Sequence, residues 1–139
     1  MLLKPTPTVE QALVPLFAGS CVARALSAIS GKDAGVKWPN DVQIDGRKIC
    51  GVLAELTDQG VIAGIGINLE RQHGAPDTAC AVSDFASAGF DDVLAIVLAE
   101  LRAGWLHWLS EGNDYALGLI RSTSVTVGKS VRAIMPSGQ

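Results

Sequence analysis

Apolar residues recur along this chain in two rhythms. Leu13, Leu16, Phe17, Cys21 and Leu26 follow helical spacing and form most of one apolar stripe, which runs to Ser30-Gly31. Thr8 is the expected N-cap of that helix, with Glu10 and Gln11 in its first turn. Ahead of it, Met1 to Lys4 reads as a strand that stops at Pro5-Thr6-Pro7, because proline cannot continue a ladder. From Val36 the rhythm changes to short alternating runs. Val36 to Trp38 is a strand, Pro39 keeps Trp38 extended, and Asn40-Asp41 are turn formers. Val42-Gln43-Ile44 alternates and ends on Asp45-Gly46, a strong two-residue hairpin signal. Ile49 to Leu56 is the return strand, Asp58-Gln59-Gly60 turns again, and Val61 to Leu69 is a third strand, rich in glycine. Three consecutive strands joined by tight turns predict an antiparallel meander.

Residues 70 to 90 hold Gly74, Pro76, Asp77 and Gly89 and read as an irregular connection. From Asp91, the expected N-cap, Leu94, Val97, Leu98, Leu101, Trp105, Trp108 and Leu109 keep helical spacing to Gly112. A second short helix is predicted over Tyr115 to Arg121, and one more strand over Ser130 to Met135. The composite is α+β: an antiparallel or mixed sheet with helices packed on one face.

Composition narrows the function classes. The 139 residues are 48% hydrophobic and 18% charged, enough for one domain with a core of its own. A net charge of −3 and the lack of any basic run exclude the electrostatic footprint of nucleic-acid binding. Cys21, Cys50 and Cys80 are odd in number and hold no Cys-x-x-Cys pair, so small buried thiols in a reducing compartment are expected. No signal-peptide h-region follows Met1, and the longest apolar stretch, around Val93 to Leu101, is interrupted at Glu100 and Arg102. The expectation is a cytoplasmic protein with no membrane span.

Chemistry concentrates between residues 37 and 69. Lys48 follows a hairpin turn and offers a compact charge with three donors to an anion. A lone strand-end lysine is ordinarily a solvated charge; here Gly51 lies three residues on and Asn68 on the next strand. Gly51 inside an apolar run fits a ligand lying against the backbone, and equally a bulge or close packing. Gly64-Ile65-Gly66 lacks the third glycine and following helix of a dinucleotide fingerprint. Trp38 reads as core more readily than as a ligand platform. His73 and His107 have no partners at metal-ligand spacing, so no metal site is expected. The residues alone point to a pocket for a small carboxylate and a phosphate.

Three linked motifs add a resemblance. Lys37-Trp38-Pro39-Asn40-Asp41, then Gly46-Arg47-Lys48-Ile49-Cys50-Gly51-Val52-Leu53, then Gly64-Ile65-Gly66-Ile67-Asn68-Leu69 closely resembles the biotin protein ligase family in order and spacing. The resemblance implies a partial biotin/lipoate ligase catalytic domain over residues 1–122 and the start of a truncated C-terminal β-barrel over 123–139. It implies that biotin and ATP, with Mg2+, form biotinyl-5'-adenylate, from which biotin passes to a lysine of a biotin carboxyl carrier protein. Lys48 matches the catalytic, biotin-binding lysine, and Gly51 the backbone position under biotin. Lys37, Asn40 and Asp41 match the motif bordering ATP, and Asn68 the asparagine near the triphosphate and magnesium. The family's Gly-Arg-rich loop and first strands lie upstream of residue 1, so an N-terminally truncated domain, weak alone in adenylation, is expected. Partners expected on this basis are the carrier protein and either a second copy or a missing N-terminal half. The rival readings are an inactive remnant that binds nucleotide or protein, and a lipoate or octanoyl transferase of the same superfamily.

Overall fold

Helix α1 (Val14–Ser30) is the element around which the others pack. The computed structural model describes residues 1–4 and 9–132. Phe17, Ala18, Cys21, Val22, Ala25 and Leu26 are buried together, which is more than one stripe, because the sheet covers one side of the helix and a second helix covers another. The helix begins later than its stripe suggests. Pro15 sits in the first turn, the one place where its missing N–H costs nothing. Glu10 and Gln11 therefore precede α1, and Gln11–Leu13 forms a separate 3₁₀ turn. The proposed cap Thr8 and the Pro5-Thr6-Pro7 stop lie outside the described residues. At the other end Gly31 adopts φ 66° and returns its N–H to the Ser27 carbonyl at 3.0 Å, the left-handed stop expected at Ser30-Gly31.

Five strands follow the order β1-β5-β4-β3-β2, each pair antiparallel: β1 (Leu2–Leu3), β2 (Ala34–Lys37), β3 (Asp41–Ile44), β4 (Arg47–Thr57) and β5 (Gly60–Ile67). Asp45 at φ 51° and Gly46 at φ 75° make the two-residue turn between β3 and β4 that Asp45-Gly46 predicts. Asp41, expected in a turn, instead opens β3. The sheet has two unlike faces. Val36, Val42, Cys50, Val52 and Ala63 are buried on the helix side, while Leu53 is 71% exposed on the other. Residues Ser124 to Thr126 run beside β2, with the Val125 N–H donating to the Val36 carbonyl at 2.9 Å and the Trp38 N–H to Thr126 Oγ1 at 3.0 Å.

Helix α2 spans Phe90–Glu111 and α3 spans Asn113–Thr123. Gly89, not Asp91, precedes α2; Asp92 accepts the Gly89 N–H at 3.4 Å, so the capping carboxylate reaches back from inside the helix. The buried face of α2 is Val93, Val97, Leu101, Gly104 and Trp108. Leu94, Leu98 and Leu109, counted in the expected stripe, are exposed. The helix is turned so that Gly104 meets α1, where a Cβ would come within 2.8 Å of Cys21 Sγ. Trp108 packs against Phe17 with the rings tilted and their centroids 4.6 Å apart, and donates its indole N–H to Asn113 Oδ1 at 2.9 Å. By length and composition alone both Gln11–Ser30 and Phe90–Glu111 are apolar enough to cross a membrane, a property that core helices share. Burial of α1 between the sheet and α2 accounts for its apolarity. Ser130 to Arg132 carry no strand, and the rest of the predicted last strand lies outside the described residues.

All three cysteines are free and buried. Burial pushes the Cys21 and Cys50 thiols up to about 12, and it raises Cys80 as well. Thiols of the unfolded chain ionise near 9, so above that pH the native state holds protons that the unfolded state has released. The thiols' contribution should be level below pH 9 and should lower stability between pH 9 and 12, by up to about 1.4 kcal/mol per pH unit for each such thiol. Urea midpoints at pH 8, 9, 10 and 11 check this, and a Cys21→Ala/Cys50→Ala variant should lose most of the slope. A slope unchanged in that variant would assign it to other groups.

Candidate functional site

A bulge in β4 decides which residues share the open face. Asp41 pairs with Gly51 and Val42 with Cys50, but Gln43 pairs with Lys48, so Ile49 is an extra residue. In a regular strand Lys48 and Gly51, three apart, point to opposite faces. The extra residue turns both to the open face and sends Ile49 and Cys50, consecutive in sequence, into the core. Lys48 then lies over Gly51, its Nζ 3.5 Å from where a Cβ at that position would sit. The sequence reading gave a ligand and a bulge as alternative reasons for Gly51. The bulge exists, and the glycine admits the lysine.

The strand register extends this into a row. Lys37 pairs with Asp41, Asp41 with Gly51 and Gly51 with Gly66, so all four positions project to one face across four strands. Within the row Lys48 Nζ contacts Asp41 Oδ1 at 2.6 Å, both side chains partly exposed. Such a pair contributes about 0–1 kcal/mol to stability. Next to the row, Leu53 faces Gly64 across β4 and β5. Beyond it lie Ile62 and its register partner Leu2, both exposed. Glu55 lies opposite Ile62 on β4, so the open face runs from a charged end through a glycine floor to an end that mixes Leu2 and Ile62 with one exposed carboxylate.

Asn40 stands in the turn before β3, its carbonyl accepting the Val52 N–H at 2.8 Å. Asn68 follows β5, and its NH2 donates to the Cys80 carbonyl at 3.0 Å and, at the long limit, to the Lys48 carbonyl at 3.5 Å. Lys37, Asp41, Lys48 and Gly51 are therefore brought together directly, with Asn40 beside them, while Asn68 reaches the group through the backbone of Lys48. Trp38, read as core, is 59% exposed, joined to Pro39 by a cis peptide bond and bordering a small cleft with Pro15, Leu16 and Leu53. His107 packs on Tyr115 at 5.3 Å. Among the described residues no group of three or more His, Cys, Asp or Glu is placed to hold a metal ion.

Two parts of this arrangement escaped the sequence reading. Gly66 and Leu53 could have been found by counting, since a two-residue turn at Asp58-Gln59 pairs Thr57 with Gly60 and so brings Gly51 opposite Gly66. The other is the segment Thr78 to Cys80, which brackets Lys48: the Lys48 N–H donates to the Thr78 carbonyl and the Cys80 N–H to the Lys48 carbonyl, each at 2.8 Å. No local pattern announces it. Chemically, the site offers a fixed ammonium to an anion and a flat, side-chain-free floor to whatever the anion is attached to.

Comparison with known proteins gives a consistent picture. The Biotin/lipoate A/B protein ligase family matches residues 2–71. A biotin–acetyl-CoA-carboxylase ligase of Mycobacterium tuberculosis is 34% identical over 82% of this chain and 44% of its own length. The bifunctional ligase/repressor BirA of Bacillus subtilis is 27% identical over 96% of this chain and 45% of its own. The chain thus spans a little under half the length of these relatives. Among solved structures, a biotin protein ligase from Aquifex aeolicus superposes with a TM-score of 0.82 at 29% identity, covering 95% of this chain and 63% of that one. The same ligase in complex with biotin and ATP superposes at 0.79 over 93% of this chain and 58% of its own.

If Gly51 is what admits Lys48, Gly51→Val should leave the fold intact and move the lysine. A valine suits a strand, and the neighbourhood of the added Cβ holds only the end of a flexible side chain. Stability should change by about 1 kcal/mol or less. Urea denaturation measures that, and the side-chain ammonium resonance of Lys48 reports its separation from Asp41. A resonance identical to that of the unsubstituted chain would show that the glycine serves some other purpose.

Proposed function

We propose that this chain, which belongs to the biotin/lipoate A/B protein ligase family, carries the catalytic face for ATP-dependent attachment of biotin to a lysine of a biotin carboxyl carrier protein. The observation that carries this reading is the placement of Lys48 over Gly51 at one end of a glycine floor. Biotin is a carboxylate on an aliphatic chain that ends in a compact ring. The floor from the Gly51 row to Ile62 covers four residues of strand, about 13 Å, and passes from the charged row over Leu53 and Gly64 before it reaches Glu55 and Ile62. A carboxylate at Lys48 places the chain across Gly51 and Gly66 and the ring towards Leu53 and Gly64.

A biotin carboxylate oxygen attacks the α-phosphorus of ATP; the bond to the bridging oxygen breaks and pyrophosphate leaves. The ammonium of Lys48 offsets the negative charge that gathers as carboxylate and phosphate approach, a charge neither reactant can spread by itself. Lys37, Asn40 and Asp41 border the nucleotide at the same end of the row, and magnesium arrives with the triphosphate, its oxygens supplying most of the coordination. In the second step the neutral amine of the carrier lysine attacks the acyl carbon, AMP leaves, and an amide forms. Biotin rather than lipoate is favoured as the acyl group because the relatives named above are biotin ligases.

Biotin-dependent exchange of labelled pyrophosphate into ATP tests the first step, with lipoate and octanoate as competing acids. Of the three acids biotin is the one expected to drive exchange, weakly for this chain by itself; exchange driven by lipoate or octanoate would move the chain to the other branch of its family. Lys48→Ala should abolish exchange while changing stability by about 1 kcal/mol or less, because the lysine is exposed and its ion pair is weak. Lys48→Arg should also lose most of the activity, since a planar guanidinium does not fit where a compact ammonium lies against the sheet. Full activity in Lys48→Ala would place the chemistry elsewhere.

A further inference from the structure

We infer that Thr126 is a positioning residue, whose hydroxyl holds the Trp38 end of the turn between β2 and β3; this rests on the reading of Lys37, Asn40 and Asp41 as the residues that border the nucleotide. Trp38, Pro39 and Asn40 connect Lys37 to its register partner Asp41. Among the described residues the main chain of this turn has two ties outside itself. The Asn40 carbonyl accepts the Val52 N–H at 2.8 Å, and the Trp38 N–H donates to Thr126 Oγ1 at 3.0 Å. Pro39, between them, has no N–H to offer.

The hydroxyl takes a place that a regular sheet would give to a carbonyl. Ser124 forms a one-residue parallel bridge with Val36, and the Val125 N–H donates to the Val36 carbonyl at 2.9 Å. A parallel ladder carried on from there would bond the Trp38 N–H to the Val125 carbonyl. The chain bends away first, because Ser124 Oγ accepts the N–H groups of Thr126 and Val127, each at 3.1 Å. That bend sets Thr126 Oγ1 against the Trp38 N–H instead. The segment is anchored independently of the turn it holds. Thr123 Oγ1 meets the buried Ser20 Oγ of α1 at 2.8 Å, and Val125 fills the space that a side chain on Gly35 would need. The segment leaving α3 is therefore the fixed body, and Trp38 is what it steadies. Without the hydroxyl the turn keeps only its Asn40 tie, and the end that relaxes adjoins Lys37.

Thr126→Val keeps the shape and removes the acceptor, whereas Thr126→Ser keeps the acceptor. Hydrogen exchange of the Trp38 amide reads the bond directly. Thr126→Val should speed it about tenfold and leave the Val125 amide unchanged, and Thr126→Ser should restore the original rate. Calorimetry reads the consequence for ligands. ATP with magnesium should bind Thr126→Val about fivefold more weakly, while biotin stays within about twofold, since β4 and β5 hold Lys48 and Gly51. Equal losses for the two ligands, as a general loosening would give, overturn the inference. So does an unchanged Trp38 exchange rate, or an unchanged ATP affinity beside a freed amide. Should the unsubstituted chain not bind ATP, the functional reading falls on its own. Positioning is then decided by the Trp38 exchange rate and the side-chain ammonium resonance of Lys37. Both must shift in Thr126→Val and return in Thr126→Ser, and if either stays put the inference fails.

Discussion

The extra residue at Ile49 ties the chemistry of the open face to the packing of the closed one. Strand β4 has to bury Cys50 and Val52 against α1 and at the same time present Lys48 and Gly51 on the other side. Strict alternation satisfies one of these demands and violates the other. The bulge satisfies both, because on its two sides the strand changes the parity of its faces. A slip that removed it would either bring Lys48 towards the core, where an unpaired ammonium is costly to bury, or expose Val52 and Cys50. The apolar cost of the second alternative is what keeps the lysine where it is.

The floor shows the same division of labour. Glycine weakens a strand interior by about 0.5–1 kcal/mol, and this sheet places glycines opposite one another at Gly51–Gly66. The loss is confined to one face. Between those positions, on the other face of the same two strands, Val52 pairs with Ile65 and Cys50 with Ile67, apolar side chains that suit a pleated surface backed by helices. The ladder is therefore held from behind, and the front is left bare enough for a ligand to lie on the backbone.

Most of the scaffold is legible in the sequence, and the unreadable parts have common causes. The Asp45-Gly46 turn, the meander and the Gly31 stop depend on local conformational preferences, which single residues announce. The errors fall where tertiary packing chooses among local options. Leu94 and Leu98 belong to an apolar helix whose buried side is set by the close approach at Gly104. Trp38 looks like core by size alone but is exposed after the end of β2, beside Pro15 and Leu16. At the site, the motif residues are visible as types, yet their meeting depends on the bulge and on the Thr78–Cys80 segment. Gly51 hints at the bulge without fixing its place, because a bulge is a mismatch of two strand lengths, and the segment pairs with Lys48 across a gap of 30 residues.

The charges on the row follow from the same geometry. Lys37 and Lys48 flank Asp41 from the two neighbouring strands, Lys48 in direct ion-pair contact with its carboxylate and Lys37 as its register partner, so the three together leave a single positive charge over. Because the contact between Asp41 and Lys48 is partly exposed, it holds the lysine weakly, and the backbone, not the ion pair, fixes the geometry. An ammonium has three donors and uses one on Asp41, so an arriving carboxylate can be met without first breaking that contact. One surplus charge on a chain whose net charge is −3 attracts a small anion locally without making the face a general polyanion trap.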